Sequence, residues 1–440
     1  MSWHEQYSKR VCTPEEAVSH IKDNDVVFLG HAVGEPKVLV DAMVANSDKY
    51  HGVIVKHMVS LGSGAYAAPG LEEHFRAKPI FASANLRKAI EEGRADFIPM
   101  FFHEVPIMIR NGKLKCDVLM TQVTPPDENG YCSLGTSVDY TFQALKSAKT
   151  VIVQVNDQFP RTFGEKVHVS EFDYIVEESM PIYESKPAAI GETEMAIGKH
   201  CVSLIEDRST LQLGIGGIPD AVVQMLGDRK DLGIHSEMIA DGTIQLYEKG
   251  VITGKYKTEN KWKMTVTFLM GTKKLYDFAN NNPEVEVRPV DYVNHPAVVM
   301  RQYRMVAINS AIQVDMMGQI VADTIGKRQF SGVGGQVDFI RGAAMAEDGK
   351  SIIAMPSFTK KKDGQIISKI VPFIDEGAAV TTSRNDIDYI ITENGIAEMK
   401  GKSLRDRAKC LIEIAHESAK EELMYEFEQR FHERKVSIGK

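Results

Sequence analysis

Residues 211–242 have the sequence LQLGIGGIPDAVVQMLGDRKDLGIHSEMIADG, which carries the clearest indication of fold in this chain. Leu211–Leu213 is typical of a short buried strand, residues 214–217 of a glycine turn, and Pro219–Leu226 of the first turns of a helix. Glycines at such a junction let backbone N–H groups approach an anion, and the helix N-terminus adds partial positive charge. The stretch therefore predicts an anion-binding loop within an α/β fold.

The spacing of these glycines limits the classes of ligand that the loop is expected to bind. It is neither GxGxxG leading into a helix nor the phosphate-binding loop GxxxxGK[ST], so NAD and simple nucleotide triphosphates lose support. For a glycine loop taken alone, a purely structural strand-to-helix turn is the competing interpretation.

A single glutamate downstream of the loop favours the functional interpretation. Glu237 lies in the segment Gly233–Met238, GIHSEM, among small and apolar residues. A carboxylate held at a reacting carbonyl becomes an effective nucleophile and divides a difficult acyl exchange into easier steps. The alternative is an exposed glutamate in a first helical turn, where the helix dipole favours it. The residues alone leave both interpretations open.

Length and composition limit the number of domains and the classes of binding partner that we expect. The 440 residues give ample core for two domains and a tail. The net charge of −8 argues against general nucleic-acid binding, which needs a basic surface to neutralise phosphates. Any polyanionic ligand must therefore be bound by local lysines and arginines.

Five scattered cysteines contain no CxxC pair and are expected to be reduced thiols, with neither a disulfide framework nor a zinc site: Cys12, Cys116, Cys132, Cys201 and Cys410. The first ten residues lack the apolar core of a signal peptide, and no apolar run approaches the roughly eighteen residues of a membrane span. HExxH is absent. We expect a cytoplasmic protein without a metal and without nucleic-acid or membrane partners.

The chain contains a faint internal duplication. Three pairs of segments recur in the same order, at separations of 184, 188 and 200 residues: Gly30 with Gly214, Gly130 with Gly318, and Val151–Val155 with Ser351–Met355. Separations that keep their order and drift slowly are typical of two copies of one domain. Strands that alternate with helical patterns predict parallel, helix-covered sheets, so we expect an α/β fold in each half.

The predicted seam lies in the proline-punctuated stretch Glu178–Pro187, which gives an N-terminal domain of residues 1–186 and a C-terminal domain of residues 187–440. Ser403 is predicted to cap a helix with Asp406 in its first turn, and a charged amphipathic helix follows Glu417. We expect that last helix to present a solvated face.

In combination, six motifs in the second half resemble the acetyl-CoA hydrolase/transferase family: LQLGIGGIPDAV, GIHSEMIADG, DYVNHP, AINSAIQVDMMGQI, FSGVGGQVDFIRGA and VTTSRNDIDYIITENGIAEMKGKS. The likeness as a whole runs from CTPEEAV near the N-terminus through the tail, over nearly the whole chain. The resemblance implies two tandem NagB/RpiA-like (CoA-transferase) α/β domains with the active site at their interface. It also implies a homodimer that moves CoA, as cosubstrate, between a short-chain acyl-CoA and a carboxylate acceptor of the 4-hydroxybutyrate or acetate type.

Carried over by motif, the resemblance makes Glu237 the nucleophile that forms an acyl anhydride and then a glutamyl-CoA thioester. Gly335 in FSGVGGQ would direct its N–H at the reacting carbonyl, a donor that each tetrahedral oxyanion needs. Asn294 in DYVNHP would orient the glutamate, although a plain turn-forming asparagine is an equal alternative.

The resemblance also assigns the binding residues. The CoA-binding turn would comprise Leu213, Gly214, Ile215, Gly216 and Gly217. Ile312 would contact CoA through its backbone, Gly335 would lie beside it, and Lys362 could pair with a CoA phosphate. For Lys362 we prefer a solvated lysine in a hairpin turn.

The counterpart of the CoA turn in the first half would form the acyl pocket, with His31 as partner for a hydroxyl on the acyl chain and Glu35 beside it. His57, His103 and Glu104 are weaker candidates, since single histidines beside apolar runs are more often core residues.

Three alternatives remain open from the sequence. They are transfer between butyryl-CoA and acetate, hydrolysis of acetyl-CoA, and CoA binding without catalysis. A binding protein would need neither Glu237 nor the FSGVGGQ loop, and no GxSxG motif supports serine chemistry.

Overall fold

The structure, a computed structural model, describes residues 2–432 of the chain. The last part of the predicted C-terminal domain, residues 433–440, lies outside the described residues.

The first half is built on a six-stranded parallel sheet with the order β3-β2-β1-β4-β6-β9. Its strands and those beside it are β1 (Val26–Leu29), β2 (Val53–Lys56), β3 (Phe75–Ala77), β4 (Val118–Val123), β5 (Tyr131–Ser133), β6 (Thr150–Val155), β7 (Phe163–Gly164), β8 (Lys166–His168) and β9 (Tyr174–Glu177). Its helices are α1 (Trp3–Ser8), α2 (Pro14–Val18), α3 (Lys37–Ala45), α4 (Arg87–Glu91), α5 (Glu104–Arg110) and α6 (Thr141–Ser147), with 3₁₀ turns at Ser47–Lys49, Ala65–Ala67 and Val169–Glu171.

The second half repeats the arrangement with the order β11-β10-β16-β21-β25-β26, parallel except for the last strand. Its strands are β10 (Thr210–Leu213), β11 (Gly233–Ile234), β12 (Met238–Ile239), β13 (Met264–Val266), β14 (Phe268–Leu269), β15 (Val285–Val287), β16 (Met305–Asn309), β17 (Gln313–Asp315), β18 (Ile320–Val321), β19 (Thr324–Ile325), β20 (Arg328–Gln329), β21 (Lys350–Ala354), β22 (Phe358–Lys360), β23 (Ile366–Ser368), β24 (Ile370–Val371), β25 (Tyr389–Thr392) and β26 (Gly395–Glu398). Its helices are α7 (Glu192–Ser203), α8 (Gly217–Met225), α9 (Gly242–Glu248), α10 (Lys273–Ala279), α11 (Val290–Val293), α12 (Pro296–Val299), α13 (Gln336–Met345), α14 (Leu404–Ile414) and α15 (Glu417–Phe431).

The two sheets have matching strand orders. In each, the strand that precedes the glycine turn, β1 or β10, lies between the next strand along the chain and a later crossover strand. The paired segments of the predicted duplication fall on equivalent elements, with Gly30 directly after β1 and Gly214 directly after β10. The predicted α/β class with two tandem units is confirmed. The stretch from Glu178 to Ile190 contains neither helix nor strand, and the exact domain limits stay a prediction.

Apolar residues cover both faces of the first sheet. Val26 and Phe28 of β1 belong to a cluster that includes α5 residues. Val27 and Leu29 belong to another that includes α3 residues. A strand buried on both faces is typical of parallel sheets under helices. The cluster beside α5 continues without a break into β10 and β14, so the halves share one core.

Short strands also join the halves. β7 from the first half pairs with β15 from the second, and an isolated bridge joins Ser137 to Phe268. These pairings, together with the shared core, hold the two halves together.

Two local predictions need correction. Helix α8 begins at Gly217, two residues before Pro219, because Gly216 takes the left-handed backbone (φ +117°) that ends the turn. Helix α15 is not simply a solvated face, because Leu423 and Phe427 are fully buried in the core beside α14. Ser403 caps α14 as predicted, accepting a hydrogen bond from the backbone of Asp406.

Candidate active site

Glu237 lies directly before β12, in the short segment that follows β11 at the edge of the second sheet. Its backbone carbonyl accepts hydrogen bonds from the N–H groups of Thr267 (3.0 Å) and Phe268 (3.2 Å). The hydroxyl of Ser236 donates to the carbonyl oxygen of Leu213 over 3.2 Å. The glutamate is therefore anchored at once to the end of β10, where the glycine turn starts, and to β14.

The amide of Asn294 holds the Glu237 carboxylate. Its Nδ2 donates to Oε2 of Glu237 over 2.7 Å, and the asparagine is fully buried. His235 reinforces this pairing, because its Nε2–H donates to the carbonyl oxygen of Val293 over 2.7 Å while its Nδ1 faces the amide nitrogen of Gln302 at 3.1 Å. Burial lowers the pKa of His235 to about 3, which keeps it neutral in this role.

Gly335 closes the site from the other side. A Cβ added at residue 335 would lie 1.9 Å from Oε2 of Glu237 and 2.3 Å from Nδ2 of Asn294, so no side chain fits there. The residue caps α13, and its backbone lies directly beside the Glu237 carboxylate. The structure brings together the three residues that were predicted as catalytic.

The surroundings make this carboxylate a weak acid. Burial raises the pKa of Glu237 to about 8, and the negative charges of Asp338 and Asp139 add to the effect. The hydrogen bonds from Asn294 and Gly335 act in the opposite direction. A strongly raised pKa beside a specific set of donors is typical of a functional carboxylate.

His31 forms a buried dyad with Asp139 near this carboxylate. The two side chains meet at Nδ1 and Oδ2 over 3.0 Å, and His31 is 1% exposed. The imidazole packs edge-on against Phe268 and Phe102, whose backbone N–H groups bond to the carbonyls of Glu237 and Gly334. Nε2 of His31 has no hydrogen-bond partner among the described residues. Nε2 of His31 is therefore a buried polar atom that the described residues leave without a partner.

Glu35 contacts a neighbouring loop, and its place in the acyl pocket stays a prediction. Its carboxylate accepts the N–H groups of Leu61 (3.0 Å) and Gly62 (3.1 Å), so it fixes the backbone of a neighbouring loop. Burial raises the pKa of Glu35. His57 is fully buried and bonded through Nε2 to the hydroxyl of Tyr66 over 2.8 Å, as expected for a core histidine.

The glycine turn borders open space. A Cβ added at Gly214 or Gly216 would meet no atom within 4 Å, so these glycines are not required by internal packing. A cavity of about 600 Å³ opens beside the turn, with Ile215 and Gly216 in its wall. That volume is in the range of sites for small ligands. The turn is therefore accessible to a ligand that lies along it.

Comparison with known proteins decides the family. The model of the acetyl-CoA hydrolase/transferase N-terminal domain matches residues 1–183, and that of the C-terminal domain matches residues 271–427. The chain belongs to the acetyl-CoA hydrolase/transferase family.

Individual members of the family match over almost the whole chain. The 4-hydroxybutyrate coenzyme A transferase of Clostridium kluyveri is 54% identical over 98% of this chain and 100% of its own length. The solved structure of 4-hydroxybutyrate CoA-transferase from Porphyromonas gingivalis is 40% identical with a TM-score of 0.84, and RipA from Yersinia pestis is 33% identical with a TM-score of 0.91. Each alignment covers 98% of this chain and 100% of the structure. The predicted enzyme class, similar to 4-hydroxybutyrate CoA-transferase, is thereby confirmed as a full-length likeness.

Ile312 and Lys362 are the remaining family-based assignments. The N–H of Ile312 donates to the carbonyl of Val321 over 2.8 Å, so only its carbonyl and side chain are left for CoA. Lys362 lies in the exposed turn between β22 and β23, as the hairpin interpretation predicts. Its pairing with a CoA phosphate stays a prediction.

The sequence analysis did not predict two acidic residues near Glu237, Asp139 and Asp338. Asp139 and Asp338 are buried and both act on Glu237. Asp338 lies three residues after Gly335 within the quoted FSGVGGQVDF motif, and an acidic residue in an otherwise apolar first helical turn was the available signal. Asp139 had no such signal.

Residues 2–432 hold neither a candidate metal site nor a membrane-spanning helix. They contain no group of three or more His, Cys, Asp or Glu side chains arranged to hold a metal ion. No helix in that range is long and apolar enough to cross a membrane.

Proposed function

We propose that this protein transfers CoA between a short-chain acyl-CoA and a carboxylate acceptor of the 4-hydroxybutyrate or acetate type, by a ping-pong mechanism on Glu237. The observation that carries the proposal is that the side chain of the partly exposed Glu237 lies between the Asn294 amide and the backbone of Gly335. A nucleophile beside fixed N–H donors is what repeated acyl exchange requires.

The first half-reaction loads CoA onto the enzyme. An oxygen of Glu237 attacks the thioester carbonyl carbon, the C–S bond breaks, and CoA leaves as thiolate from a glutamyl-acyl anhydride. The thiolate then attacks the glutamyl carbonyl and expels the acyl group as a carboxylate, which leaves a glutamyl-CoA thioester. The second half-reaction runs these steps in reverse with the acceptor carboxylate. No net proton is taken up or released.

Each addition creates a negative charge on a carbonyl oxygen, and donors must already be in place to receive it. The backbone of Gly335 lies at the carboxylate that becomes the reacting carbonyl, and the Asn294 amide lies beside it. We assign the Gly335 N–H as the second donor. Since both groups are set by backbone and buried packing, little reorganisation accompanies the reaction. The N–H groups of the turn from Leu213 to Gly217 would bind CoA itself.

The free Nε2 of His31 supports a hydroxylated acyl group. Burying a polar atom without a partner costs free energy, so a substrate that supplies a hydroxyl there gains over one that does not. The 54% identity to the Clostridium kluyveri 4-hydroxybutyrate transferase agrees with this preference. Glu35 would contribute indirectly, through the loop at Leu61 and Gly62.

The test is to trap the covalent intermediate. Protein incubated with 4-hydroxybutyryl-CoA or acetyl-CoA, without acceptor, is treated with borohydride, which reduces a glutamyl thioester to an alcohol. Peptide mass spectrometry should find the reduced residue at position 237 in the wild type, and the Glu237→Gln variant should show none. No adduct in a protein that still binds CoA would overturn the proposal.

Acceptor dependence separates the remaining activities. A transferase forms new acyl-CoA only when a carboxylate is added, with parallel double-reciprocal plots. Continuous release of free CoA without acceptor would identify a hydrolase. A better rate with butyryl-CoA and acetate than with the hydroxylated substrate would identify the alternative acyl preference.

A further inference from the structure

The two residues Phe102 and His103, which precede α5 in the first half, cross the interface and bind both sides of Gly335. The N–H of Phe102 donates to the carbonyl of Gly334 over 3.3 Å. The N–H of His103 donates to Oδ2 of Asp338 over 3.2 Å, and its Nδ1 meets Oδ1 of the same carboxylate at 2.7 Å. The donor glycine thus lies between two points that are tied to one dipeptide.

The pair with Asp338 is not a surface contact. Asp338 is 1% exposed, and its carboxylate accepts two bonds from the single residue His103. Because removing one partner of a buried charged pair leaves the other without compensation, such a pair constrains geometry strongly. Asp338 lies in the first turn of α13, the helix that Gly335 caps, so its position sets where that helix begins.

Only a small displacement of Gly335 relative to Glu237 can be tolerated. The Gly335 backbone already lies so near Glu237 that no Cβ fits between them. Preorganised donors lose much of their effect when they move by about 1 Å, which can cost roughly a hundredfold in rate. A shift of the start of α13 would therefore be felt directly at the reacting carbonyl.

We infer that His103 is a positioning residue, which holds the Gly335 N–H at Glu237 through its two hydrogen bonds to Asp338 across the domain interface. This inference rests on the proposed CoA transfer at Glu237. It assigns to the first half a part in building the oxyanion site, in addition to forming the acyl pocket.

The experiment uses two variants of similar size. In His103→Asn the side-chain amide nitrogen can take the place of Nδ1, whereas in His103→Gln it corresponds to Nε2 and cannot reach Asp338 in the same way. We expect His103→Gln to lower kcat for transfer about tenfold or more, with KM for acyl-CoA changed by less than about threefold, and His103→Asn to recover most of the loss. Equal losses in both variants, or a rise in KM with unchanged kcat, would overturn the inference.

A double-mutant cycle tests the coupling. If the two residues act as one unit, the double variant His103→Gln with Asp338→Asn loses no more in kcat than Asp338→Asn alone. Multiplying losses would contradict the inference. Thermal unfolding of each variant establishes that the compared proteins are folded.

The chain offers a matched control. Arg110, at the other end of α5, forms an exposed ion pair with Asp291 of the second half over 2.6 Å. Arg110→Gln breaks a contact between the same two domains without touching α13, and we expect its kcat to stay within about twofold of wild type. Wild type without any transfer activity would instead reject the proposed function, which keeps the two failures distinct.

Discussion

The backbone of Gly335 lies so close to the carboxylate of Glu237 that there is no room for a methyl group between them. This contact joins the N-terminus of α13 to the segment after β11, two parts of the second half that are almost a hundred residues apart. Several expected outcomes depend on it.

Gly335→Ala should lower kcat by about a hundredfold or more, because the new Cβ displaces the carboxylate or the donor, and one lost oxyanion donor costs about that factor. Steady-state rates of acyl-CoA formation measure the effect. Gly227→Ala is the matched control, since its added Cβ meets no atom within 4 Å, and it should retain wild-type activity.

Asn294→Ala should reduce kcat/KM for acyl-CoA at pH 7 by about tenfold to a hundredfold, as hydrogen bonds to charged groups are worth about 1.5–3 kcal/mol. The bond lowers the pKa of Glu237, so its removal should also move the pH–rate midpoint upward. Rates recorded between pH 6 and 9 give both numbers. An unchanged midpoint with reduced rate would mean that Asn294 acts on the substrate alone.

The first half-reaction should accelerate with pH. Glu237 attacks as the carboxylate, and its pKa is about 8, so kcat/KM for acyl-CoA should rise up to about pH 8 and level off above it. Single-turnover reaction of preformed glutamyl-CoA with acceptor serves as control, because no free Glu237 carboxylate takes part in it. A flat profile in the first half-reaction would contradict the assignment.

Glu237→Gln should stabilise the fold at high pH. The folded pKa of about 8 lies above the ordinary value of 4.5. The wild-type protein therefore loses stability as the pH rises from about 4.5 to about 8, and the loss is constant at higher pH. We expect the variant to unfold with a free energy higher by up to roughly 5 kcal/mol at pH 9 and to match wild type near pH 4.5. The exposed Glu248→Gln should show no such difference at either pH.

His31→Leu should alter acyl preference more than overall rate. With Nε2 absent, the ratio of kcat/KM for 4-hydroxybutyryl-CoA to that for butyryl-CoA should fall about tenfold or more. Because both substrates are measured on the same variant, any loss of folded protein cancels in the ratio. An unchanged ratio would remove His31 from hydroxyl recognition.

Much of the fold was accessible from local pattern. The glycine after β10 and the apolar strand before it identified the α/β turn, and the same pattern at Gly30 identified the duplication. Glu237 stood out because its neighbours are small and apolar. These features are encoded within a few consecutive residues, so no knowledge of the tertiary arrangement was needed.

The rest depends on contacts between distant segments. His103 and Asp338 are separated by 235 positions, and neither alone indicates a charged pair, since each type is common in exposed helical turns. The partners of Glu35 could not be predicted for the same reason, because the N–H groups of Leu61 and Gly62 reach it only through the folding of a later loop. Likewise, the free Nε2 of His31 is defined by the absence of a neighbour, which local sequence does not encode.

The matching positions of Gly30 and Gly214 have a consequence for the history of substrate choice. On the proposed function, one ancestral turn is used twice, with the copy after β1 leading into the histidine that meets the acyl chain and the copy after β10 meeting CoA. The acyl group, which differs between substrates, and CoA, which is the same in all of them, are then recognised by separate copies of the turn. Substitutions at the first turn can then change the acyl group that the enzyme accepts, while CoA binding at the second turn stays the same.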